Sequence, residues 1–331
     1  MSARSAAVAN LRVAGTIADA RRVLQERPLL PLLLLLLGLV VLLQVVQPGI
    51  VSPSWIATTI KFSTPLAILA ACQTLTMITG GIDLSAATVA SMAAFIAATQ
   101  TTGQGQATAI ALGLGAALLA GLINGIGAGV FRVHPLIMTL GMGLVVSGVT
   151  TVYQTIAVTT SQNVPDLVGL IGGTSWGWFP NCLVLFLPLA GVIIVGLRRT
   201  GYGRLLYAVG DNPAAARLAG VRVWQVLLGV YVISSLLAGI AGLAFSGVAR
   251  ASTLQLVDPY LLPSIAAPVI GGTSIFGGRG GYTGSLVGAL ILTVLASLLT
   301  IIDAPGAVRQ ILYGAIILAV AAAYARVTAD T

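Results

Sequence analysis

Residues 28–46 read PLLPLLLLLLGLVVLLQVV, and residues 283–302 read TGSLVGALILTVLASLLTII. Neither run contains a charged residue, and each is long enough as a helix to cross a hydrocarbon core about 30 Å thick, which takes roughly 20 residues. Eight further apolar stretches have the same character: roughly 57–79, 84–99, 107–130, 134–153, 181–197, 224–247, 259–272 and 308–324. The pattern predicts an all-α polytopic membrane protein of about ten transmembrane helices. The segments at 84–99 and 259–272 are short, as broken or re-entrant spans are where transporters line a cavity. Composition agrees. Only 7% of residues are charged, against about a quarter in a soluble domain, so most of the surface must face lipid.

Arginine placement sets an orientation. Arg4, Arg12, Arg21, Arg22 and Arg27 precede the first span. With that end in the cytoplasm, ten spans also put Arg132, Arg198, Arg199, Arg204, Arg217, Arg222, Arg279 and Arg326 inside, leaving Lys61, Arg250 and Arg309 outside. The excess of basic residues on one side predicts cytoplasmic N- and C-termini. The organisation read from this is a cytoplasmic tail over 1–27, a transmembrane domain over 28–325 with a cytoplasmic loop at 198–223, and a cytoplasmic tail over 326–331. The first apolar run starts late, is too long for a signal-peptide core and is followed by no small-residue cleavage site, so it reads as an uncleaved span.

Counting excludes several chemistries. Lys61 is the one lysine and no glycine loop precedes it, so the chain has no phosphate loop for hydrolysing ATP. His134 is the one histidine, which rules out two-histidine metal sites. Cys72 and Cys182 lie in or beside apolar segments and form no ligand cluster or disulfide framework. The net charge of +8 comes without interleaved aromatics, so it reads as an orientation signal and not as a nucleic-acid surface. An ion-coupled transporter would bury paired ionisable groups at mid-membrane; most spans here carry none.

Three clusters stand out. In GGIDLS, the glycines Gly80 and Gly81 end one helix, and Asp83 with Ser85 opens the next. Asp83 is read as an N-cap in a helix–helix turn on the cytoplasmic side, with substrate or proton binding as the competing role. In GGTSIFGGRGGYTG, Gly271, Gly272, Gly277, Gly278 and Arg279 form a turn between the eighth and ninth spans, with the wrong spacing for a phosphate cradle. In the loop at 198–223, Asp211 and Asn212 offer a cap, Pro213 sits at the first helical position, and Gly220 ends a free-standing helix of about two turns. Its apolar face is Ala215, Leu218 and Ala219, with Arg217 beside it. So short a helix is marginal alone and points to a groove on a partner. The outer loop 154–180 carries Asp166, and its Trp176 and Trp178 read as interfacial anchors. Polar residues inside apolar spans, namely Gln73, Thr76, Asn124, Thr139, Ser147, Ser234 and Ser235, are candidates for a solute path. Interhelical hydrogen bonding is the competing role.

Together, TMITGGIDLSAATVASMAA (76–94), VHPLIMTLGMGLVVSGV (133–149), TGYGRLLYAVGDNPAAARLAGVRV (200–223) and PSIAAPVIGGTSIFGGRGGYTGSLVGALI (263–291) resemble the permease subunit of bacterial carbohydrate ABC importers of the ribose/xylose/arabinose/galactose type, in the branched-chain-amino-acid/monosaccharide permease superfamily. The resemblance covers roughly 30–325. It implies a dimer with a second permease copy or paralogue in the bacterial inner membrane. It also implies two cytoplasmic ATPase subunits that bind the ATP and Mg, and an external solute-binding protein. The chain would then be no enzyme and hold no cofactor. Residues 211–220 become the coupling helix that docks in the ATPase. Relatives often read Gly-Gly-Asn where this chain has Gly210, Asp211 and Asn212, and many carry an acidic pair where it has Ser264 and Ile265. Nucleosides, branched-chain amino acids and a furanose-like signal molecule stay open as solutes.

Overall fold

A computed structural model of the chain describes residues 29–157 and 163–329, with side chains over 29–156 and 163–319. The tail 1–27 with its arginines, and the Arg326 side chain, lie outside the described residues.

The apolar runs form helices. Helix α1 is Leu29–Val46, α2 Pro53–Ile78, α3 Ala86–Gln104, α4 Gln106–Gly129 and α5 Pro135–Ala157. Then come a short α6 (Asp166–Gly173) and a two-stranded hairpin of β1 (Ser175–Trp176) and β2 (Phe179–Pro180), paired antiparallel. Next are α7 (Cys182–Arg199), α8 (Gly201–Asp211), α9 (Pro213–Leu218), α10 (Val223–Ala249), α11 (Leu261–Ile270), α12 (Tyr282–Ile301) and α13 (Gly306–Ala329). Each of the ten expected segments coincides with a helix. Among the described residues, seven helices are long and apolar enough to cross a membrane: α1, α2, α4, α5, α7, α10 and α12. The chain is therefore a multi-pass membrane protein. Of the remaining three segments, α3 is rich in alanine and threonine and buried along most of its length; a helix enclosed by other helices needs no lipid-facing side chains. Helix α11 has 10 residues, about 15 Å at the helical rise, half of a hydrocarbon core. Helix α13 continues to Ala329, past the expected end of the transmembrane domain at 325.

The centre is made of α2, α3, α4 and α10, which pack on one another. Helix α12 packs on α2, α11 and α1. Of α1, only Leu43 is buried, while Leu33, Leu34, Leu35 and Leu37 are exposed, so this helix presents its length to lipid. Where the central helices cross, small residues let backbones touch: Gly242 of α10 lies against the backbone of Ala90 in α3, where a side chain would collide. Lipid gives no hydrophobic drive for helix association, so this close van der Waals packing carries it.

Two stretches read as loops contain more structure. The segment 198–223 holds α8 as well as α9. Thr200 caps α8 by accepting from the N–H of Gly203 at 3.1 Å, and Leu206 and Val209 bury one face. The loop 154–180 holds α6, whose Gly172 packs on Gly247 of α10, and the hairpin, which holds Trp176 and Trp178 exposed.

Candidate functional site

The break between α2 and α3 is the most polar place in the interior. Helix α2 ends at Ile78, and Gly80 takes φ +78, a left-handed conformation natural to glycine. The chain then runs non-helically to Ser85. Gln73, one turn inside α2, holds this strand by both backbone groups of Asp83: its Nε2 donates to the Asp83 carbonyl at 2.7 Å, and its Oε1 accepts from the Asp83 N–H at 3.2 Å. From α5, the Thr139 hydroxyl donates to the Ile82 carbonyl at 3.0 Å and accepts from the Leu84 N–H at 3.1 Å. Backbone groups that no helix can satisfy are thereby satisfied by side chains, as a low-dielectric interior demands.

Asp83 is fully buried. One carboxylate oxygen accepts from the Ser85 N–H at 3.0 Å and from its hydroxyl at 2.6 Å; the other accepts from the Ser234 hydroxyl at 3.3 Å. This corrects the expected role of Asp83 as the N-cap in the helix–helix turn. Ser85 occupies the cap position of α3, and Asp83 makes its turn two residues earlier. Ser234 is the twelfth residue of α10, which begins at Val223, about 16 Å along that helix. The carboxylate therefore sits inside the bundle.

The other candidates for a solute path mostly converge here. Asn124 of α4 donates to the Ser85 hydroxyl at 2.9 Å, and the Ser234 hydroxyl lies 3.0 Å from the Cys72 sulfur. Ser235 is buried on the same helix turn. Thr76 is buried with its hydroxyl donating back to the carbonyls of Cys72 and Gln73. Ser147 does not join them: it is exposed on the outer face of α5. Asn124 Oδ1, Tyr231 Oη and Ser235 Oγ are buried with no hydrogen-bond partner among the described residues. Tyr231 was not foreseen. Its signal was there, since it lies three residues before Ser234 and so shares its helix face. Cys72 and Cys182 are both buried and free.

The glycine loop 271–281 joins this break to α8. Gly272, Gly277 and Gly278 take φ +84, +90 and +71. The Gly278 N–H donates to the Ile78 carbonyl at 2.9 Å, and Gly210 of α8 packs against that carbonyl and against Gly278. Tyr207 of α8 donates to the Gly280 carbonyl at 2.9 Å. The Arg279 side chain is exposed.

Asp211 ends α8, and α9 follows. The Asn212 side chain accepts from the N–H groups of Ala214 and Ala215, both at 3.0 Å. Of the two residues offered as caps, the structure therefore uses Asn212. Pro213 opens the helix, and Gly220 takes φ +84 just past its end. Ala216 is the one residue of α9 that is buried. Ala215 and Ala219 are exposed, and Leu218 is 91% exposed. Arg217 folds its Nε back to the Pro213 carbonyl at 3.1 Å.

Residues 55–321 match the family described as branched-chain amino acid transport system / permease component. The chain is 33% identical over 300 residues to the ribose import permease protein RbsC of Escherichia coli strain K12, covering 86% of this chain and 90% of that one. It is 34% identical to the fructose import permease protein FrcC of Rhizobium meliloti, covering 69% of this chain and 66% of that one. It is also 34% identical to the galactofuranose transporter permease protein YtfT of Escherichia coli strain K12, covering 77% and 75%. No solved structure matches.

Proposed function

The chain belongs to the permease-component family of the branched-chain amino acid transport system, and from that premise we propose that it is the membrane subunit of an ATP-binding-cassette importer for a monosaccharide. Its relatives are named as ribose, fructose and galactofuranose permeases, which supports a sugar. It is a transport component and not an enzyme. ATP and Mg belong to two ATPase subunits at the cytoplasmic face of a bacterial inner membrane, and a solute-binding protein delivers the sugar from outside. A second permease copy or paralogue completes the path. Both termini are cytoplasmic.

The observation that carries this reading is α9. A capped helix of six residues keeps its largest apolar side chain, Leu218, in the open. Such a face costs free energy in water and gains it in a groove. The force of an ATPase closing on α9 passes through Asp211 to Gly210, where α8 touches the carbonyl of Ile78 and the backbone of Gly278. Those contacts adjoin the break that carries Asp83. There, Asn124, Tyr231 and Ser235 hold unmet hydrogen-bonding capacity. They are sealed in this conformation, and a small shift of α2 against α10 opens them to a hydroxyl-rich solute. A sugar matches donors and acceptors of this kind.

Reconstituting the permease with its ATPase and binding protein in proteoliposomes tests the reading. ATP-dependent uptake of labelled ribose, fructose or galactofuranose is expected. Uptake of leucine and of none of these sugars overturns the substrate class; uptake that needs no ATPase overturns the architecture.

A further inference from the structure

A cavity of about 650 Å³ opens where α4 and α5 meet the start of α10 on the face that carries α9. Arg132, Arg217 and Arg222 line it together with His134, and among the described residues no acidic residue does. Three arginines around one space, with no carboxylate among the described lining residues, favour an anion there. Arg132 holds φ +54, a left-handed conformation unusual for arginine, so the α4–α5 turn keeps its cation here at a conformational cost.

The surroundings are apolar and exposed. Val130 and Phe131, just past the end of α4, are 51% and 74% exposed, and Trp224 at the start of α10 is 44% exposed. Leu227, one turn further along α10, lines the cavity too. Helix ends with exposed aromatics lie at headgroup depth. A soluble partner could meet the guanidinium groups but would leave Phe131 and Val130 uncovered. A phospholipid satisfies both, with a phosphate for the arginines and acyl chains for the apolar rim.

We propose that the cavity between the α4–α5 turn and α10 is a binding site for the headgroup phosphate of an anionic phospholipid. Arg132 and Arg222 hold the phosphate, and the chains run past Leu227 and Phe131. Arg217 links the site to α9, so an occupied site also fixes the position of the helix that meets the ATPase. The proposal stands on the cavity and its charges and is independent of which solute is carried.

The test uses the full-length permease in dodecyl maltoside, titrated with dioleoylphosphatidylglycerol, dioleoylphosphatidylcholine or inorganic phosphate while thermal stability is followed. The wild type is expected to gain stability with phosphatidylglycerol alone. An arginine near an anionic surface contributes about a five-fold gain in binding, so the double variant Arg132→Gln/Arg222→Gln should bind phosphatidylglycerol about thirty-fold more weakly. Arg132→Lys/Arg222→Lys, which keeps the charge, should stay within about three-fold of wild type, which separates lost charge from lost folding. Arg199→Gln/Arg204→Gln, with arginines outside the cavity, should bind as the wild type does. Equal stabilisation by both lipids, an unchanged Gln double variant, or an equal loss in the Arg199/Arg204 variant overturns the site. A full effect of inorganic phosphate alone overturns the lipid in favour of a free anion. Pull-down of the ATPase with the same variants completes the test: loss of co-purification by the Gln double variant with its phosphatidylglycerol binding intact overturns the site in favour of a protein contact.

Discussion

Gly210 of α8 lies against the carbonyl oxygen of Ile78, the last residue of α2, so closely that a methyl group on Gly210 would overlap it. The same carbonyl accepts from the N–H of Gly278 at 2.9 Å. Three segments far apart in sequence thus meet as bare backbone: the end of a spanning helix, the glycine loop and the helix leading to α9.

Gly210→Ala therefore forces α8 away from α2. Overpacking of this kind costs about 1–3 kcal/mol. The variant is expected to insert, to show a lower thermal midpoint, and to lose uptake out of proportion to abundance, because the contact by which α8 ties α9 to the Asp83 break is loosened. Gly220→Ala is the contrast: nothing lies near its added methyl, though its φ of +84 is strained for alanine, so only the end of α9 should suffer. Uptake per unit of membrane permease separates the two; equal behaviour would mean that the Gly210 contact transmits nothing.

Asp83 satisfies the Ser85 N–H and the hydroxyls of Ser85 and Ser234. Asparagine can keep the Ser85 turn through its one carbonyl oxygen, so Asp83→Asn should retain folding and most transport. Asp83→Leu leaves these donors buried without partners, at about 1–3 kcal/mol for each group left unsatisfied, and membrane abundance should fall. Abolished uptake by Asp83→Asn at normal abundance would assign the carboxylate a charge-dependent role.

Asp258 lies in the short turn between α10 and α11, outside both helices. Burial raises its pKa above the ordinary 3.8, partly offset by a hydrogen bond from Ser91 at 3.4 Å. The folded chain therefore binds this proton more readily than the unfolded chain. Above the raised pKa, the charged group weakens the fold; as pH falls through it toward 3.8, that penalty is relieved. Asp258→Asn should raise the thermal midpoint at about pH 7, and its advantage over wild type should shrink toward about pH 4. A gap that does not change with pH would point to a packing effect of the amide.

The spans were legible because their signal is length: a run of 20 apolar residues needs no knowledge of its neighbours. Helix α9 was legible because Asn212, Pro213 and Gly220 are local punctuation. Helix α8 was hidden because Gly201, Gly203 and Gly210 look like loop. Two of the three are there because other backbone approaches them: Gly203 meets the carbonyls of Gly196 and Leu197, and Gly210 meets Ile78. The depth of Asp83 was hidden for a related reason. Its bonds to Ser85 are local, but the partners that place it inside the bundle, Ser234 and the clamp from Gln73, come from helix register, which a single sequence does not carry. The convergence of Ser85 and Ser234 on one carboxylate, with Asn124 behind Ser85, depends on that same register.

The last expectation concerns α9. Asn212 satisfies two N–H groups at its start, and Asn212→Ala should loosen the helix by about 1 kcal/mol. Uptake should fall partially, with the permease still in the membrane. Leu218→Asp places a charge at the centre of the exposed apolar face while leaving the buried Ala216 and the cap untouched. Insertion should be normal, ATPase co-purification should drop steeply, and uptake should stop. Arg217→Ala, which removes the charge beside that face, should act in the same direction but more mildly, since an exposed ion pair with an acidic residue of the ATPase is worth under about 1 kcal/mol. The measurement is pull-down of the ATPase with tagged permease, alongside uptake in vesicles. Should Leu218→Asp keep both, the ATPase meets the permease elsewhere, and α9 loses its role as the coupling element.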